Sequence, residues 1–294
     1  EESYYEVINI NELIDLQEVM NELDLGPNGS MIYTFEFLHD NIDWLLQKLK
    51  GYKNYYFIFD LPGQVELYVN QPATKKIFET LQKNSEIELR LTIINLIEST
   101  LLADSSKFLS AVLMTLSSMI HLECSQLNVI TKLDLLKTMD LEFSLDFYTD
   151  LNEMQALPDS ILSRAFGTKD SALSKKYHKL TEILCETIED YSLVKYLTVD
   201  INDKESMYFL LKYVDKSNGY IYAHLDKPIG SVDAPNSILN TVNASNYDIM
   251  YMDYLSDLKE KYLPSEQKPT VFPDDHEQYD EEDDGAHDGG ENEK

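Results

Sequence analysis

Two short stretches carry residue types that together could handle phosphate, magnesium and a purine base. The first is Asp60-Leu61-Pro62-Gly63-Gln64, at the end of the apolar, aromatic run 55–59. A carboxylate beyond the carboxyl end of a strand can hold Mg2+ through water. A glycine amide can approach a terminal phosphate with no Cβ in the way. Gln64 can both donate to and accept from an attacking water, and so orient it. Taken alone, the stretch reads equally well as an ordinary strand ending in a turn.

The second stretch is Thr131-Lys132-Leu133-Asp134, after the buried-looking run 127–130. A carboxylate accepts two hydrogen bonds from the N1–H and 2-amino group of guanine, and adenine has neither donor in that arrangement. The lysine stem can lie along the base plane. Alone, four residues of this kind read as a polar strand-to-helix loop. In this order, and at strand-to-helix spacing, the two stretches together point to a guanine nucleotide. A third stretch, Gly26-Pro27-Asn28, is by itself a plain turn.

These residues need elements to position them. Apolar positions recur at helical spacing over 11–23, and again over 30–50 beyond the glycines and proline of 24–30, which predicts a helix, a rigid loop and a second helix. The near-continuous apolar runs 55–59, 91–97, 127–130 and 196–199 predict strands of a parallel sheet covered on both faces. Helical patterns lie between them at 105–123, 174–192 and 203–219, with Ser105 expected as a helix N-cap. Alternating strand and helix define an α/β fold: a doubly wound, mostly parallel sheet with a helical insertion. The polar stretch 141–168 reads as a surface insertion, and 247–262 as a last amphipathic helix. The expected organisation is a nucleotide domain over 1–223, an extension over 224–263 and a tail over 264–294.

Composition excludes several functions. With 53 acidic against 24 basic residues and a net charge of -29, the chain lacks the Lys/Arg surface that displaces counterions from nucleic acid. Residues 274–294 alone carry eleven acidic residues and one lysine, too polar to fold and read as a solvated tether. Cys124 and Cys185 are far apart and have no CxxC spacing, which argues against a disulfide framework or zinc site. No apolar run approaches the roughly 20 residues that span a bilayer. His39, His121, His178 and His224 are isolated and read as structural or exposed.

The combination of Gly-Pro-Asn between two helices, Asp60 to Gln64 downstream and Thr131 to Asp134 beyond that resembles the GPN-loop GTPases, over about Ile8 to Ala223. Stretches such as 145–154, 175–182 and 215–223 are most similar to the second paralogous branch of that family. The resemblance implies a fold of P-loop NTPase type, GTP as substrate and Mg2+ as cofactor. It implies GTP contacts from Asp60, Gly63, Thr131, Lys132, Leu133 and Asp134, with Asp60 also serving the metal. It further implies a homodimer or a heterodimer with another member, each subunit's Gly26-Pro27-Asn28 loop reaching into the other's site. Asn28 would then stabilise the transferred phosphate in trans, and Gln64 would help position water. Members are implicated in cytoplasmic assembly of RNA polymerase II, and by extension III, before nuclear import. The expected partners are therefore polymerase subunits or assembly factors, with neither nucleic acid nor membrane bound directly.

One family motif is missing. A P-loop, Gly-x-x-x-x-Gly-Lys-Ser/Thr, cradles phosphates with its amides and binds Mg2+ through its hydroxyl. The 294 residues contain no Gly-Lys pair; residues 166–171 come nearest, without the spacing. The sequence also starts at Glu1 rather than Met. The expectation is an N-terminally truncated GTPase, inactive as it stands. The rival is a paralogue that lost its P-loop and persists as a dimerisation scaffold. An ATP-driven relative is disfavoured by Asp134.

Overall fold

The computed structural model describes residues 6–52, 55–151, 153–166, 172–191, 194–220 and 247–263. Three strands form a parallel sheet in the order β1 (Thr92–Glu98), β2 (Ser125–Thr131), β3 (Tyr196–Thr198). Asn95 stands opposite Asn128, and Asn128 opposite Tyr196. All three carboxyl ends therefore open on one edge, where ligands of open parallel sheets bind. The run 196–199 is one residue shorter as a strand than its apolarity suggests. The parallel arrangement and alternation with helices are as expected.

The run 55–59 does not behave as expected. No strand among the described residues pairs with it, and Tyr55, Tyr56 and Ile58 are 69%, 52% and 89% exposed. Nor does any described strand pair with the outer edge of β1, where Ile94 and Leu96 are 41% and 61% exposed. Apolarity makes a segment competent to be a strand, whereas hydrogen-bonded neighbours make it one. The sheet is thus not covered on both faces along β1.

Among the described residues, ten α-helices precede the last one: α1 (Leu16–Leu23), α2 (Pro27–Asp40), α3 (Ile42–Lys50), α4 (Glu66–Val69), α5 (Pro72–Lys83), α6 (Ser105–Leu122), α7 (Leu145–Asp150), α8 (Leu157–Phe166), α9 (Ala172–Tyr191) and α10 (Lys204–Ser217). The last is α11 (Tyr247–Tyr262). The pattern over 11–23 resolves into a short 3-10 turn, Ile10–Glu12, and α1, because Asp15 caps α1 by accepting from the Gln17 and Glu18 amides. The pattern over 30–50 breaks at Asn41 into α2 and α3. Ser105 is not the N-cap of α6. Asp104 is, accepting from Ser106 N–H at 2.9 Å and Lys107 N–H at 3.2 Å, while the Ser105 hydroxyl bonds Glu142 and Ser160.

The stretch 141–166 is core rather than a surface insertion. Its two helices and the turn Met154–Ala156 bury Leu145, Tyr148, Met154 and Leu157 to 2% exposure or less. Two cores result. The first joins α6, α7, α8, the sheet and α11, with Ile97, Val112, Ile130 and Leu136 at its centre. The second joins α2 to α5, with Phe35, Leu49, Leu67 and Ile77. Among the described residues, β1 and α6 serve both: Ile97 and Phe108 belong to the first, Ile93 and Leu122 to the second.

Candidate nucleotide site

The turn before α2 is tighter than the glycines suggest. Gly26 is the N-cap and Pro27 the first helical residue, where a missing N–H costs nothing and a fixed φ favours the helix. Asn28 and Gly29 therefore lie in the first turn of α2, not in a loop. Ser30 reinforces the start, its hydroxyl donating to Gly26 O at 3.0 Å. Gly26, Pro27 and Asn28 are exposed, so the turn projects outward with Asn28 at its tip.

The segment Asp60 to Gln64 lies against this turn. Gln64 Nε2 donates to Asn28 Oδ1 at 3.0 Å, and beside it Gln71 Nε2 donates to Glu36 Oε1 at 2.9 Å. Tyr68 fastens the segment from below by donating its hydroxyl to Pro62 O. Burial, with a smaller contribution from the Asp60 charge, pushes the Tyr68 hydroxyl up to about 12, so it remains a donor at any physiological pH. Asp60 and Gly63 are exposed. A Cβ at Gly63 would meet no protein atom within 4 Å. Protein packing therefore does not demand a glycine there.

The second group leaves the end of β2. Thr131 hydroxyl donates to Ile97 O at 3.0 Å, and Ser99 hydroxyl donates to Lys132 O at 2.7 Å, so the end of β1 holds both residues from the side. Lys132 adopts φ 59°, a left-handed conformation uncommon for a side-chain-bearing residue, which turns the chain sharply into the 3-10 helix Leu133–Thr138. Its ammonium pairs with Glu98, whose carboxyl it holds below the ordinary carboxylate range. Leu133 and Leu136 anchor that helix in the first core, which leaves Asp134 on its exposed side.

The structure thus assembles the predicted residues in two groups. Asn28 and Gln64 meet beside Asp60 and Gly63 over the second core; Thr131, Lys132, Leu133 and Asp134 gather over the first. Sequence reading missed Glu98 and Ser99. The polar pair at the end of an apolar strand was the available signal. Mg2+ is commonly held by one or two carboxylates together with phosphate oxygens and water. A single exposed carboxylate at Asp60 fits that role. No cluster of three or more His, Cys, Asp or Glu able to hold a metal by themselves occurs among the described residues. No described helix is long and apolar enough to cross a membrane.

A parallel α/β sheet carrying Thr131 to Asp134 at its carboxyl edge is a fold of P-loop NTPase type. A GTPase from Pyrococcus abyssi, solved in its apo form, shares the fold with a TM-score of 0.51 at 16% identity, covering 73% of this chain and 79% of its own. Residues 1–220 match the family model described as "conserved hypothetical ATP binding protein". GPN-loop GTPase QQT1 of Arabidopsis thaliana is 46% identical over 224 residues, which is 76% of this chain and 72% of that protein. A GPN-loop GTPase 2 homolog of Dictyostelium discoideum is 41% identical over 281 residues, 95% of this chain and 83% of its own length. The chain belongs to the GPN-loop GTPase family.

Proposed function

We propose that the protein binds GTP with Mg2+ and hydrolyses it by in-line attack of water on the γ-phosphate. Asp134 reads the base, Lys132 flanks it, Asp60 holds the metal and Gln64 orients the water. The observation carrying the choice of guanine over adenine is the exposed Asp134 on a segment clamped by Ser99 and Glu98 at the carboxyl edge of the sheet. The relatives' names agree with that choice, and the family model's description names ATP instead. The 294 residues supply the base side and the water side of the site but no Gly-Lys pair, so we expect them alone to bind nucleotide weakly.

The cellular reading is that the protein acts as a homodimer or a heterodimer with another family member, helping to assemble RNA polymerase II or III in the cytoplasm before nuclear import. It rests on family membership alone. The deciding experiment is nucleotide binding by the protein expressed from its full open reading frame, with GTP, ATP and XTP compared. Binding of GTP at least ~100-fold tighter than ATP is expected. Equal affinities would remove Asp134 from the base site, and no binding to any of the three would favour the scaffold reading.

A further inference from the structure

The last described helix ends on a residue that touches both the 3-10 helix carrying Asp134 and the loop after β3. The Tyr262 ring lies 5.0 Å from Lys137 Nζ, within the 3-10 helix that carries Asp134. Its hydroxyl donates to Oδ2 of Asp200, in the loop after β3. Asp200 is 8% exposed; its Oδ1 accepts from Asn202 N–H at 2.9 Å, and Lys261 Nζ lies 3.4 Å from its Oδ2. The loop after β3 starts bonded to β2, Val199 N–H donating to Ile130 O at 2.9 Å.

The rest of α11 is fastened to the same edge. The Tyr251 hydroxyl accepts from Thr198 N–H at 2.7 Å, at the last residue of β3. Lys259 pairs with both oxygens of Asp146 on α7, at 2.6 and 2.7 Å. Between these, Leu255 and Leu258 are 2% exposed in the first core. A helix serving only to cover apolar surface needs no polar bonds of this kind. Here buried hydroxyls end on the terminus of β3 and on its loop.

We infer that Tyr262 is a positioning residue for guanine recognition, joining the loop after β3 to the turn that presents Asp134. This rests on the assignment of Asp134 to the base site. A carboxylate as enclosed as Asp200 must keep its hydrogen bonds or move toward water. Losing the Tyr262 hydroxyl therefore loosens its loop, which the Asn202 amide and Lys261 then hold alone. A 3-10 helix of six residues has poor hydrogen-bond geometry of its own and depends on its neighbours for its orientation. Lys137, resting on the Tyr262 ring, is where that dependence reaches the segment.

The test uses the full-reading-frame protein and Tyr262→Phe, which keeps the ring and removes the hydroxyl. In Tyr262→Phe hydrogen exchange should accelerate at least ~5-fold at residues 199–203, and in Tyr262→Leu, which also removes the ring under Lys137, at 133–138 as well, with α2 and α5 unchanged in both. GDP affinity should fall about 3- to 10-fold, as expected for part of one hydrogen bond to a charged group, while inorganic pyrophosphate with Mg2+ binds as before. Equal losses for GDP and pyrophosphate would reduce Tyr262 to general stability and overturn the inference. Unchanged exchange in a folded variant would overturn it too. A wild-type protein that binds pyrophosphate but shows no preference for guanine would overturn the assignment of Asp134 instead, and the exchange measurement would still decide whether Tyr262 couples the loops.

Discussion

Gln64 Nε2 donates to Asn28 Oδ1 across 3.0 Å, and both residues belong to one chain. The side chain assigned to water and the side chain assigned to phosphate are therefore partners before any nucleotide or second subunit arrives. The bond occupies only the Asn28 oxygen, so its Nδ2 donors are left to serve a phosphate across a dimer. In the protein expressed from its full open reading frame, Asn28→Ala should leave GTP binding nearly intact and slow turnover about 10²- to 10³-fold, the usual cost of one positioned donor to developing charge. Mixing Asn28→Ala subunits with Asp134→Ala subunits should restore activity absent from either alone. A mixture that stays inactive, although native mass spectrometry shows mixed dimers, would confine Asn28 to orienting Gln64 in its own chain.

In the same full-reading-frame protein, Asp134→Asn should turn base preference from guanine toward xanthine, which presents a carbonyl where guanine has its amino group. Loss of the bidentate, charge-assisted contact should weaken GTP binding by about 2 to 4 kcal/mol. Titration with GTP and XTP measures both changes, and an unchanged GTP affinity would place the base elsewhere.

Leu157→Ala tests whether the stretch 141–166 is core. The side chain is fully buried in the first core, and truncation of such a leucine typically costs about 2 to 5 kcal/mol. Urea unfolding should show that loss in midpoint with little change in slope. A cost near ~0.5 kcal/mol would return the stretch to the surface.

Acid should unfasten α11. Burial raises the Asp200 carboxyl, but the Tyr262 hydroxyl, the Asn202 amide and Lys261 more than offset this and hold it below its ordinary value. A depressed folded-state value means the contribution is complete above the unfolded value, about 3.9. It is lost as pH falls from there through the folded value. Exchange protection of α11 should therefore hold from pH 7 to about 4 and decline below it, and the decline should flatten in Asp200→Asn.

The chain of residues 1–294 should self-associate, because Ile58 and Leu96 are 89% and 61% exposed and no described strand pairs with the outer edge of β1. Ile58→Lys together with Leu96→Lys should raise the monomer fraction in sedimentation. If the monomer fraction is already complete without these changes, that surface is not adhesive.

What the sequence discloses depends on how local the cause is. Thr131 to Asp134 is contiguous and follows a strand whose Val129 and Ile130 are fully buried, so β2 and its loop can be read directly. The core role of 141–166 is not legible. Helices of six and ten residues interrupt the period before it accumulates, and polar neighbours mask Tyr148 and Met154. The N-cap of α6 falls one residue early because Asp104 and Ser105 are both good caps and only geometry separates them. Residues 55–59 have the composition of a strand, but a strand is a relation to a neighbour, and no neighbour is written within the run. The bond between Tyr262 and Asp200 spans 62 positions, and no periodicity announces it.

The two cores share β1 and α6, and the two groups of candidate site residues rest one on each core. A nucleotide gripped by Asp134 at one end and by the Asp60 to Gln64 segment at the other would act as a rivet through both bodies. Without it, each core can open with little resistance from its neighbour beyond what β1 and α6 transmit. With it, neither opens without giving up the ligand, and two separate melting steps would merge into one cooperative event.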